Sequence, residues 1–250
     1  MTTTTPLPTR HEPQLLGQTV VLIGGSAGIG LETARLARAE GADVVLAARD
    51  PERLKQAADQ VGARSMAAFD ATDSASLRRF FEGLAAIDHV LVTGPGPRYA
   101  PLLAVEPAEL RDVMTDHMVL GLDVARNVVG KMRPGGTLLL MGGTGGRRIA
   151  RGLGIVSAAT AALPPFVASL ALEIAPVRVN LIAAGFVDTP LSASLLGNDL
   201  EARREELRAT LPIGRVVGPA DVAALAVHIM ANTALTGATY DIDGGQQFVA

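Results

Sequence analysis

The chain contains no cysteine and no tryptophan, and it has only two tyrosines (Tyr99, Tyr240) and two lysines (Lys55, Lys131). Without cysteine there is no disulfide framework, no thiol nucleophile and no Cys–zinc site. The same absence fits a reducing compartment, and the expected location is the cytoplasm. Apolar runs are short, and none is expected to approach the about 20 residues that span a bilayer. Met1 to His11 lacks the apolar core of a secretory signal. Residues 1–15 read as a disordered Thr/Pro-rich tail. Net charge is −3 with no basic block, so neither nucleic acid nor an anionic membrane surface is implied as a partner. No metal-ligand cluster, no pair of carboxylates and no Ser/His/Asp arrangement stands out, and no metal is expected.

What the chain does have is glycine, 27 residues in 250, concentrated where strands end. Thr19 to Ile23 is a β-branched apolar run and reads as a strand buried on both faces. Gly24, Gly28 and Gly30 follow at once. Leu31 to Glu40 then shows helical spacing and stops at Gly41. Strand, glycine turn and helix form the context in which such glycines cradle a diphosphate, because backbone can approach it and the helix start offers N–H groups and a positive dipole end. A second strand, Asp43 to Ala48, ends in Arg49, where folds of this kind read the adenosine ribose. An acid there would accept from a free 2′-hydroxyl; a guanidinium suits a 2′-phosphate. NADP(H) is therefore favoured over NAD(H).

Strand and helix signals alternate to the end. Helices are expected over Pro51 to Gln60, from Asp73 or Ser74 through Leu84, over Pro107 to Lys131, Ser157 to Ala175, Leu191 to Thr210 (in two pieces around Gly197) and Pro219 to Met230. Strands are expected over Ala63 to Phe69, His89 to Thr93, Thr137 to Met141, Val177 to Ala183 and Thr239 to Ile242. Pro164-Pro165 inside a helical stretch implies a kink or restart, since proline removes the N–H that would bond the Thr160 carbonyl. The expected fold class is α/β: one doubly wound, Rossmann-like parallel sheet of about seven strands with helices on both faces, spanning residues 16–250 as a single domain. Ligands then sit beyond the carboxyl ends of the strands.

With these motifs in order, the chain resembles the short-chain dehydrogenase/reductase family from Leu16 to the C-terminus. The family's TGxxxGIG turn matches Ile23 to Gly30, with Ile23 in place of Thr. The family acid that touches adenine matches Asp70, beside Ala71. Its PG motif and following Thr match Ala184, Gly185 and Thr189. The resemblance implies that Gly24, Ser26, Gly28, Ile29, Gly30, Arg49, Asp70, Ala71, Thr93, Gly94, Gly185, Val187 and Thr189 hold the cofactor. It also implies a homodimer or homotetramer acting on a small molecule.

The resemblance fails where the chemistry should be. The family's NNAG falls on Thr93-Gly94-Pro95-Gly96, its helix asparagine on His117, its serine on Gly143, and its YxxxK on Val156 and Thr160. No YxxxK exists anywhere in the chain. In the family that tyrosine protonates the oxygen receiving hydride; losing a positioned acid costs about 10²–10⁴-fold in rate. The candidate replacements are His117, which can exchange a proton near neutral pH, and Tyr99 in the loop after the fourth strand. Arg147, Arg148 and Arg151 are candidates to hold an anionic substrate at the pocket mouth. The readings are an NADP(H)-dependent oxidoreductase with an atypical site, acting on an imine, enone or carbonyl; a catalytically degenerate NADP-binding partner protein; or a non-redox enzyme reusing the pocket.

Overall fold

The computed structural model describes residues 12–94, 96–147 and 149–249. The expectations for the tail before residue 12, for Pro95 and for Arg148 fall outside them. Seven strands, β1 (Thr19–Ile23), β2 (Asp43–Ala48), β3 (Ser65–Ala68), β4 (Ile87–Val92), β5 (Met132–Gly143), β6 (Arg178–Ala184) and β7 (Thr239–Ile242), form one sheet in the order β3-β2-β1-β4-β5-β6-β7. Every pairing is parallel. The order reverses between β1 and β4, which is where a doubly wound sheet opens a crevice for a ligand.

Side chains along each buried strand point alternately to the two faces. Val20 and Leu22 join the core beneath helices α1 (Gly28–Ala39), α2 (Pro51–Val61) and, later in the chain, Pro219–Ala231. Val21 and Ile23 join the other core, beneath α3 (Ser74–Glu82) and α4 (Pro107–Val128). Local signals set several boundaries. Asp50 and Asp73 cap α2 and α3 by accepting from the N–H groups of Arg53 and Ala75, as short acceptors at an N-cap do.

After β5 the helical stretch divides into α5 (Gly154–Ala161) and α6 (Leu163–Glu173). Pro164 and Pro165 occupy the first turn of α6, where a missing N–H costs nothing. The expected restart is therefore what the chain does. Gly154–Glu173 together make a 20-residue stretch with a mean hydropathy of 1.8, long and apolar enough to cross a membrane by those two measures alone. That corrects the expectation that no apolar run comes near such a length. Here the stretch buries Ile155, Leu163, Val167 and Leu170 in the fold. The strand expected from Thr137 starts earlier, at Met132, because Gly136 lets the chain pass against Asp88: a Cβ at Gly136 would lie 2.4 Å from the Asp88 carbonyl oxygen. The charged segment after β6 divides at Gly197 (φ 51°) into α7 (Pro190–Leu196) and α8 (Leu200–Thr210), and α9 (Pro219–Ala231) precedes β7.

The C-terminal end of α9 is tied to the sheet by a buried guanidinium. Arg178, at the start of β6, donates from Nη1 to the carbonyls of Ile229 (2.9 Å), Asn232 (3.2 Å) and Leu235 (3.0 Å), from Nη2 to Met230 (2.8 Å) and from Nε to Gly135 (2.9 Å). A cation there satisfies carbonyls that the helix end leaves unpaired and meets the negative end of its dipole. Nearby, His89 is buried in β4 with Nε2 2.5 Å from Gln18 Oε1. Burial first, and the Arg178 charge second, push its pKa down to about 3.

Two outcomes follow. Arg178→Leu strands several carbonyls and lowers unfolding free energy in urea by about 3 kcal/mol. His89 is neutral when folded and protonates near 6.5 when unfolded, so its contribution is intact above pH 6.5 and lost as pH falls toward 3. Urea titrations of the wild type should lose up to about 1.4 kcal/mol per pH unit below 6.5 from this group, and His89→Gln should flatten that slope.

Candidate active site

The glycine turn after β1 is built from close backbone approaches. Gly24 has φ 91°, and a Cβ on it would lie 2.0 Å from Thr93 Oγ1. The Thr93 hydroxyl in turn donates to the Ile23 carbonyl at 3.1 Å. A Cβ on Gly30, in the first turn of α1, would lie 2.3 Å from the Gly24 carbonyl oxygen. Gly28 (φ 53°) faces Thr189, 3.4 Å from where its Cβ would be. Helix α1 starts at Ala27 with no side-chain cap and no acid in its first turn. Its leading N–H groups are therefore left for an anionic ligand, and the residues present fit the diphosphate of a dinucleotide. Ser26 is buried within the turn.

The adenosine end lies on the next two strands. Arg49 follows β2 and is exposed; Asp70 follows β3, which pairs with β2 at Ala48 and Ala68. Asp70 accepts from the Thr72 backbone N–H (3.0 Å) and hydroxyl (2.8 Å). These two bonds hold its carboxyl below the usual carboxylate range, with a smaller contribution from the Arg49 charge. The carboxylate is thus ionised at neutral pH, and it shares one electrostatic neighbourhood with Arg49. The cap of α3 is Asp73, and Ala71 packs its methyl against the core.

At the other end of the turn opens a cavity of about 490 Å³. Its walls include Ile29, Thr93, Gly185, Val187 and Thr189 from the cofactor set, together with His117, Tyr99, Gly143, Val156 and Thr160. His117, Gly143, Val156 and Thr160, onto which the sequence resemblance places the family's Asn, Ser, Tyr and Lys, thus line one cavity. Val156 offers a hydrocarbon. The Thr160 hydroxyl is committed to its own helix, donating to the Val156 carbonyl at 2.7 Å. Gly143 lines the wall with backbone alone.

His117 lies on α4 with its ring close to Gly94: a Cβ there would be 3.7 Å from Cδ2 and 4.0 Å from Nε2. Its Nδ1 is buried and falls short of a full hydrogen bond, although the Val113 carbonyl one turn back draws its pKa upward. Burial outweighs that carbonyl and the Asp116 charge and sets the pKa below its ordinary value. The ring is neutral at pH 7. Tyr99, exposed at the rim, has its pKa raised by burial of the phenol against the opposing pull of Arg203. It is a hydrogen-bond donor and a weak acid.

Of the arginines expected at the mouth, Arg147 and Arg151 are not in the wall. Arg147 turns away and pairs with Asp241 and Gln247 of the C-terminal segment, because the loop after β5 packs against that segment. Arg151 is exposed outside the cavity, and Arg148 lies outside the described residues. The cation that does line the cavity, Arg203 of α8, went unnoticed in the sequence, as did Phe186 and Gln246. The contact that orients it is long-range: Arg204, its neighbour on α8, is bound by both oxygens of Asp188, two residues past Phe186 (2.9 and 2.8 Å). Gln246 Oε1 accepts the Phe186 N–H at 2.7 Å and sits where a Cβ on Gly185 would have to go, 2.5 Å away.

A family model described as enoyl-(acyl carrier protein) reductase matches residues 24–247. The chain belongs to the short-chain dehydrogenase/reductase family. Among curated relatives of this family member, short-chain dehydrogenase/reductase malC of Malbranchea aurantiaca is 27% identical over 95% of this chain and 98% of that protein. An uncharacterized oxidoreductase of Mycobacterium tuberculosis is 31% identical over 91% of each. The solved structure of the MalC reductase/Diels-Alderase superposes with a TM-score of 0.87 at 25% identity, covering 95% of this chain and 99% of that one. A small-chain dehydrogenase in complex with NADPH superposes with a TM-score of 0.80 at 26% identity, covering 93% and 99%. These relatives are named as dehydrogenases, reductases or oxidoreductases.

The packing of the turn is directly testable. Gly30→Ala forces its methyl onto the Gly24 carbonyl and should cost about 1–3 kcal/mol of stability. Fluorescence titration of NADPH onto the refolded variant should show weakened uptake compared with the parent.

Proposed function

We propose that the protein is an NADP(H)-dependent reductase whose substrates finish the reaction with little or no help from a protein acid: an iminium, or an imine that has taken its proton from water, first, an activated C=C bond next, a simple ketone last. The observation that carries this reading is the wall formed by Val156, Thr160 and Gly143, which lines the cavity without an ionisable group. Gly24, Gly28 and Gly30 would hold the diphosphate, Arg49 and Asp70 the adenosine end, and Gly185, Val187 and Thr189 the nicotinamide side. The cofactor, when bound, supplies hydride.

The remaining chemistry belongs to the chain. Hydride addition to an iminium carbon leaves a neutral amine, with no proton to deliver. Addition to a ketone leaves an alkoxide, and addition to an enone leaves an enolate; each of these needs a proton and stabilisation of negative charge. His117 is the ionisable group set deepest in the wall, and its neutral imidazole can donate one hydrogen bond to a substrate heteroatom or pass a proton from water. The apolar body of the cavity, with Leu153, Phe186 and Leu195 in it, excludes water and suits a hydrophobic substrate. The homodimer or homotetramer is part of the same proposal; exposed Val119 on α4 and Leu172 on α6 support it.

Two measurements test the reading. Arg49→Ser should weaken NADPH binding about tenfold and leave NADH binding unchanged; equal losses for both would speak against a 2′-phosphate site. In steady-state NADPH oxidation, His117→Gln should slow enone or ketone reduction about 10²-fold and alter reduction of a preformed cyclic iminium by less than about threefold. Equal losses on all substrates would place His117 in folding or binding rather than proton handling.

A further inference from the structure

Arg203 is the one charged side chain in the wall of the cavity among the described residues. Its surroundings are apolar: Phe186, Leu191, Leu195 and Leu196 line the same space. Its side chain is 26% exposed and, among the described residues, makes a single ion pair, from Nη1 to Glu206 Oε2 at 2.6 Å, with a carboxylate that is 51% exposed one turn along the same helix. Such i,i+3 surface pairs are weak and readily exchanged. A guanidinium carries five N–H donors, so this pair leaves most of the fork for another acceptor.

The other arginines of α8 are committed differently. Arg204 grips Asp188 with two bonds and also reaches Glu201, to which Arg208 donates as well. Those pairs fix α8 against the loop after β6 and so fix where Arg203 stands. The polar groups around it are largely committed to backbone. Thr93 donates to Ile23, Thr160 to Val156 and Ser192 to Val187, while Gln246 accepts from Phe186. Tyr99 is the exception: its phenol feels the Arg203 charge across the rim. No carboxylate lines the cavity among the described residues.

A lone cation over an apolar pocket, set by a rigid helix and held only by an exchangeable partner, has the chemistry of an anion anchor. We propose that Arg203 binds a carboxylate on the substrate, with Tyr99 donating a second hydrogen bond, so that the substrate is an apolar molecule with a reducible C=N or C=C group and a carboxylate. This rests on reading the cavity as the substrate pocket of a reductase. Such a carboxylate also offsets the charge of an iminium, which Arg203 alone would repel.

The test is binding, kept apart from turnover. Protein with NADP⁺ added, and protein without it, is titrated calorimetrically with 4-carboxycinnamaldehyde and with its neutral near-isostere 4-carbamoylcinnamaldehyde. The wild type should bind the carboxylate at least about tenfold more tightly than the carboxamide. Arg203→Gln should bring the two affinities together without changing the carboxamide. Glu206→Gln, which frees the guanidinium on an exposed face, should keep or widen the preference. Equal affinities in the wild type, a preference that survives Arg203→Gln, or no binding of either aldehyde overturns the proposal. NADPH oxidation is scored separately: no turnover of either aldehyde or of an iminium panel counts against the reductase reading, while the binding preference stands or falls by itself.

Discussion

Backbone must run against backbone at the end of β1, and the molecule is arranged to let it. The Gly24 carbonyl sits where a Gly30 side chain would be, and Thr93 sits where a Gly24 side chain would be. These approaches pack the start of α1 onto the exits of β1 and β4, the pair at which the strand order reverses. The crevice, the uncapped helix start and the meeting of distant wall residues all depend on that turn holding its shape. A methyl group at Gly24 or Gly30 would separate elements that have to touch.

The two ends of the pocket are under different physical demands. The phosphate end needs backbone donors, a positive helix terminus and space, and glycine supplies all of these without side-chain chemistry. The reacting end needs groups with particular proton affinities held in particular places. In this chain the glycines and the uncapped helix start of the first kind are present, and the ionisable groups lining the cavity among the described residues are one desolvated imidazole, one phenol at the rim and one guanidinium. The surrounding wall is hydrocarbon, which strengthens any remaining electrostatic contact by keeping the local dielectric low. A single guanidinium in such a place has more influence on which molecule enters than it would on an open surface.

The fold was legible in the sequence because its signals are local. Alternating apolar strands, caps such as Asp50 and Asp73, and glycines at strand exits each act within a few residues. That Gly143, Val156 and Thr160 line one wall follows from the topology too, since the β5 exit and the first turns of α5 face the same space. Which charges enter the cavity was not. Arg147 looked placed for the mouth, yet its direction is set by Asp241, 94 residues away in the sequence. Arg203 reads as one charge in a run on a polar helix; buried Leu207 one turn on and the Arg204–Asp188 pair mark the face of α8 that turns inward. Long-range ion pairs orient side chains, and periodicity carries no information about them.

The break between α5 and α6 has a bearing on how this pocket can change. A continuous helix would lock the rotational phase of its pocket-facing residues to that of its core-facing residues, since each residue advances by a fixed angle. The break at Ala162 relaxes that lock without removing it, since one residue with helical dihedrals (φ −78°, ψ −19°) joins the two helices. Val156 and Thr160 thus stand on a short segment of their own, while Leu163, Val167 and Leu170 keep their seats in the core. The fold divides one apolar stretch between lining the cavity and holding the sheet.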